Sequence, residues 1–121
     1  MKRATASATK ARDVQARARL SKDQLAAMAE EATVDAHDDS EQLTGWFTML
    51  EEQLEIPFET KVLGIAATVA SLDLRDGVGI FAVCARGRFR QAIALTDLPL
   101  PSPKPAGSDW IEAYRYWVGR R

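Results

Sequence analysis

The hydrophobic period of this chain changes at Pro57, and that single change dictates a helical half followed by a β half. Before Pro57 the spacing is helical. Ser21 and Gln24 form a capping-box pattern, and Leu25, Met28, Ala29 and Ala32 then recur on one face, which predicts a helix over about 22–32. Asp38 and Glu41 repeat the capping pattern. Leu43, Trp46, Phe47, Leu50 and Leu54 follow it at i, i+3, i+4, i+7 and i+11, predicting a longer helix over about 39–55. Pro57 ends it by pushing the preceding residue out of the α region.

After Pro57 the period falls to two. Segments 61–64, 67–74, 79–85 and 88–95 are separated by turn signals at Asp76-Gly77 and Arg86-Gly87, which reads as an antiparallel meander with strands over about 60–95. In the third segment Ile80, Ala82 and Cys84 share one face and Phe81, Val83 and Ala85 the other, so both faces are expected to be covered. The expectation is an α+β fold in which a small curled sheet or barrel carries helices over one side. LPLPSPKPAG at 98–107 has four prolines and reads as an extended strap rather than an SH3 ligand. Asp109 and Glu112 then pair as a cap for a helix over about 109–119 with Trp110, Ile111, Tyr114, Trp117 and Val118 on one stripe. Arg120 and Arg121 follow near its negative end.

The chain of 121 residues is long enough for one core and short for two, so 21–121 is expected to form a single domain. Cys84 is the sole cysteine and cannot form an internal disulfide. With no apolar run of membrane-spanning length and no secretory leader pattern, a cytoplasmic location and no membrane partner are expected. The net charge of −1 conceals segregation: residues 1–20 sum to +5, 21–60 to −10 and 61–121 to +4. Residues 1–20 read as a disordered basic tail, because Val14 and Leu20 are too little apolar surface to offset ordering entropy. The tail lacks the aromatics that stack on bases, so nucleic acid is not the expected partner.

From Asp23 to Thr60 there are eleven acids and no Lys or Arg, and Asp35, Asp38, Asp39 and Glu41 fall within seven positions. A helix N-terminus favours a neighbouring carboxylate by about 0.3–1 kcal/mol, which accounts for one or two of these four. Two carboxylates about 6 Å apart repel by roughly 0.7 kcal/mol even in bulk water, so the cluster invites a cation. The donors are hard oxygens: carboxylates, Ser40 and loop carbonyls. They suit Ca²⁺, whose geometry adapts, better than Mg²⁺, which demands an octahedron. The pattern is not an EF-hand, since counting from Asp35 no glycine stands at position 6 and Trp46 stands at position 12. Glu51, Glu52, Glu55 and Glu59 form a second acidic group, about 16 Å of helical rise separating Glu41 from Glu52, so one ion cannot span both.

No catalytic motif is present. The only histidine, His37, lacks partners for a zinc site, and Cys84 has the apolar context of a buried small hydrophobe, so no enzymatic activity is expected. Arg86, Arg88 and Arg90 make a basic strip, which supports an alternative reading: a non-enzymatic protein- or RNA-interaction module using the barrel and the basic tail.

VDAHDDSEQLTGW at 34–46, followed by LEEQLEIPF at 50–58, resembles the signature of the bacterial calcium-binding family typified by cyanobacterial CcbP: an acidic loop, Gly45-Trp46 and a Pro57-Phe58 ending in the same order and spacing. The resemblance implies an SH3-like or Sm-like β-barrel preceded by an acidic helical segment. It also implies Ca²⁺ binding, with Asp35, Asp38, Asp39 and Glu41 as ligands and Glu51 and Glu52 as a second acidic group. Taken with the acidic cluster, the expected function is cytoplasmic Ca²⁺ binding as a buffer or sensor, with an unidentified protein as a possible partner.

Overall fold

The computed structural model describes residues 20–121, in the order α1 (Lys22–Ala32), α2 (Asp39–Gln53), β1 (Phe58–Val62), β2 (Ile65–Arg75), β3 (Gly79–Arg86), β4 (Phe89–Ala94) and α3 (Ser108–Gly119). The basic tail lies, up to residue 19, outside the described residues. At α1 the capping box closes in both directions: Ser21 Oγ accepts from Gln24 N–H, and Gln24 Oε1 accepts from Ser21 N–H. Leu25, Ala29 and Ala32 are the residues it buries.

Helix α2 stops at Gln53, short of the expected residue 55. Leu54 turns extended, and Glu55 N–H donates to the Ala106 carbonyl at 2.9 Å, so the strap takes the backbone that would have continued the helix. Gly107 sits so close to the Gln53 carbonyl and Leu54 Cα that a Cβ there would overlap both, and its φ is +84°. It is Gly107, not Asp109, that caps α3, without a side-chain bond; Asp109 stands in the first turn.

The strands pair in sequence order, all antiparallel. A bulge between Val69 and Ser71 shifts the register of β2, so that Val69 opposite Cys84 and Leu72 opposite Ala82 both face inward despite an odd separation. Phe58, Val69, Leu72, Ile80, Ala82 and Cys84 are buried on that inner face.

The expected SH3-like or Sm-like barrel is not what forms: the sheet is open, with β1 and β4 as its edges. Two features explain this. First, the proline strap stands beside β1, where a closing strand would have to pair, and Thr60 Oγ1 donates to the Pro99 carbonyl across that edge. Second, only one face of the sheet is buried. Phe81, Val83 and Ala85 on the other face are half-buried rather than covered, and the Arg75 guanidinium lies 4.3 Å from the Phe81 ring centroid.

The core sits between the inner face and the helices, centred on Trp46 and Leu50 of α2, both fully buried. Trp110, Tyr114 and Trp117 of α3 surround the Trp46 ring at 5.6–6.3 Å. The indole Nε1 of Trp46 is buried with no hydrogen-bond acceptor, and the Trp110 and Tyr114 rings stand edge-on to the Trp46 ring. Helix α3 is tied to β3 and to the turn after β4: Tyr114 Oη accepts from the buried Ile80 N–H at 3.1 Å, and the Arg115 guanidinium donates to the Leu95 and Leu98 carbonyls. Among the described residues no helix is long and apolar enough to cross a membrane.

Candidate metal centre

The acidic loop is placed by tight packing at Gly45. A Cβ there would overlap the Ala32 carbonyl, so only glycine lets the end of α1 meet the first turns of α2. Chain reversal between the two helices uses Asp35 at φ +64°, a left-handed conformation that Asp tolerates better than most residues. The loop therefore delivers Asp35, Asp38, Asp39 and Glu41 to the N-terminal end of α2, all exposed.

Two of these carboxylates are already in use. Asp38 Oδ1 accepts from Glu41 N–H at 2.8 Å as the helix cap, and Glu41 Oε1 accepts from His37 N–H at 2.6 Å. Each keeps its second oxygen. Asp39 Oδ2 lies 3.7 Å from the Arg121 guanidinium, a loose pair at an exposed position and weak for that reason. His37 contributes its backbone N–H, and its exposed side chain stands among acids rather than among further nitrogen ligands.

In the sequence Asp76 reads only as part of a turn. The fold brings it to the same place: Ser40 Oγ donates to Asp76 Oδ1 at 2.9 Å, joining the first turn of α2 to the β2–β3 turn. Nothing in the sequence could have joined positions 36 residues apart. Glu51 and Glu52 are exposed on the last turn of α2, a separate acidic group at the end of a helix whose last turn holds no basic residue. Glu55 is occupied with the Ala106 backbone.

Among the described residues, no three His, Cys, Asp or Glu side chains converge as a ready metal cage. The donor chemistry fits a hard cation, since every candidate is an oxygen. The arrangement is open, and its free oxygens must swing inward to share an ion, which the adaptable shell of calcium tolerates and the strict octahedron of magnesium does not.

The α+β fold thus leaves oxygen donors exposed at a helix N-terminus, a chemistry compatible with a hard cation. A family model described as calcium binding, of the CcbP type, matches residues 26–88, just over half the chain. The chain belongs to this calcium-binding family, and Ca²⁺ is the ion it binds. The matched span runs from α1 to the β3–β4 turn and contains Asp35, Asp38, Asp39, Glu41, Glu51, Glu52 and Asp76. No curated protein and no solved structure matches the chain.

Proposed function

We propose that this chain is a non-enzymatic, cytoplasmic calcium buffer or sensor. Its principal site is the junction before α2, where Asp35, Asp38, Asp39 and Glu41 supply carboxylate oxygens. Ser40 and Asp76 supply further oxygens from across the junction, and Glu51 with Glu52 is a second, more exposed group. The observation that carries the reading is the meeting of the acidic loop with the β2–β3 turn through the Ser40–Asp76 bond, inside the span matched by the calcium-binding family.

A bound Ca²⁺ supplies positive charge that relieves the mutual repulsion of these carboxylates. Asp39 then exchanges its loose contact with Arg121 for the ion. The Arg121 guanidinium also lies 4.5 Å from the Trp117 ring centroid, and Trp117 packs on Trp46, so its release is expected to alter tryptophan emission. That coupling is what a sensor requires. An exposed site closed by no bidentate Glu is expected to have an affinity of roughly 10⁻⁶ to 10⁻³ M.

Calorimetric titration with Ca²⁺ and, at matched ionic strength, with Mg²⁺ tests the reading, with tryptophan fluorescence recorded in parallel. Saturable binding that prefers Ca²⁺ and is lost in Asp38→Ala with Asp39→Ala is expected. Unchanged affinity in that double variant would overturn the site assignment.

A further inference from the structure

Among the described residues five large apolar side chains are exposed, and three of them cluster by topology. Leu63 (95% exposed) and Ile65 (48%) lie at the β1–β2 turn, and Phe89 (72%) at the β3–β4 turn. Because β2 and β3 are neighbours paired at Thr68↔Ala85, with Val62↔Ile65 and Arg86↔Phe89 closing their hairpins, both turns project from the same end of the sheet. The Asp76 turn and the acidic start of α2 lie at the other end, about 30 Å away along β2. The remaining exposed apolar residues, Val34 and Val78, are at that acidic end, beside Asp35 and Asp76.

The charge around the three apolar tips is predominantly positive, four cations to one acid. Exposed Lys61, Arg86, Arg88 and Arg90 border them, and Glu59, the only acid in 59–67 or 85–91, is engaged by the Thr68 hydroxyl at 2.7 Å. Leu63 is also in an unfavourable conformation. It and Gly64 have φ of +52° and +77°, the backbone of a primed hairpin turn in which Asn would be at ease and leucine is not. A fully exposed leucine held left-handed serves neither hydration nor turn formation, which points to a role outside the folded chain.

We propose that this end of the sheet docks on an anionic phospholipid surface, Leu63, Ile65 and Phe89 entering the interfacial layer while Lys61, Arg86, Arg88 and Arg90 meet the headgroups. This revises the expectation of no membrane partner, which considered only spanning segments. Basic groups around short apolar insertions are what reversible attachment to such a surface needs. The opposed acidic end gives the molecule a dipole that orients it, leaving the candidate calcium junction directed away from the bilayer. A nucleic acid is the poorer match, since Leu63 and Ile65 offer no face for base stacking and only Phe89 does.

The test is cosedimentation of the intact chain with phosphatidylcholine vesicles with and without phosphatidylserine, in a calcium-chelating buffer so that calcium bridging plays no part. Binding only to the anionic vesicles is expected, weakened about tenfold by Leu63→Asn with Phe89→Ser and at least as much by Arg88→Glu with Arg90→Glu. Leu63→Asn alone suits the turn better, so it is expected to keep or raise the melting temperature while lowering vesicle binding. That combination separates docking from misfolding. Equal binding to neutral vesicles, no binding, or binding unaffected by the hairpin variants and so owed to the basic residues of 1–19 would overturn the proposal. So would a chain that ignores vesicles but binds a single-stranded polynucleotide through Phe89.

Discussion

Asp38 caps α2 and is a proposed calcium ligand at the same junction, and two substitutions separate the two roles. Asp38→Ala removes the 2.8 Å bond to Glu41 N–H at an exposed cap, which costs about 1 kcal/mol. For a folded unit of this size that is a fall of roughly 4–8 °C in melting temperature. Asp38→Asn keeps an amide oxygen in the same place. It forfeits an attraction to the helix dipole of about 0.3–1 kcal/mol and also removes a repulsion of roughly 0.7 kcal/mol toward a carboxylate about 6 Å away. Those terms offset, so the calcium-free Asn variant is expected to melt within about 2 °C of the parent. Calcium affinity should separate from stability, because both variants lose a ligand charge and should bind about tenfold more weakly, the Ala variant more so than the Asn. Calcium-free thermal melts followed by calorimetric titration measure both quantities. If Ala lowers the melting temperature but neither variant changes calcium affinity, Asp38 is a cap alone. If Asn destabilises as much as Ala, the capping argument fails.

Two further substitutions test the packing that holds the junction. Tyr114→Phe leaves the buried Ile80 N–H without its acceptor, an expected loss of about 1–3 kcal/mol read from urea unfolding. Burial raises the Tyr114 phenol above its ordinary value of 10.0, more than the Ile80 bond and nearby Arg121 lower it, and burial likewise raises the Cys84 thiol above 9.0. The unfolded chain therefore releases these protons first. Stability should be intact below about pH 9 and decline as pH rises through 9 and 10, less steeply in Tyr114→Phe; a decline of equal slope in both proteins would refute the linkage. Gly45→Ala in an open helix would stabilise by up to about 1 kcal/mol. Here the new Cβ meets the Ala32 carbonyl, so the urea midpoint should fall and calcium binding weaken; a rise would show that α1 does not press on α2 at this point.

The sequence by itself determined the local structure, because capping bonds and side-chain periodicity act within one or two helical turns. Ser21 with Gln24, Asp38 with Glu41, and the short apolar run through 79–85 between turn signals each contain their own signal. It also carried the calcium-binding family, since an acidic loop followed by Gly45-Trp46 and Pro57-Phe58 is a linear pattern. Tertiary structure alone decided that the sheet stays open. The continuous apolar run of β3 looks the same whether the second face is covered or half-exposed, and the difference was made by a strap some 40 residues from β1 in sequence. The same holds for the cap of α3, where contact between Gly107 and the end of α2 displaced the local Asp109 pattern. At the acidic junction the sequence specified which oxygens are available, while Asp76 and Arg121 reached it only through folding. Chain proximity is encoded locally, whereas proximity across the fold follows from which surfaces can be buried together.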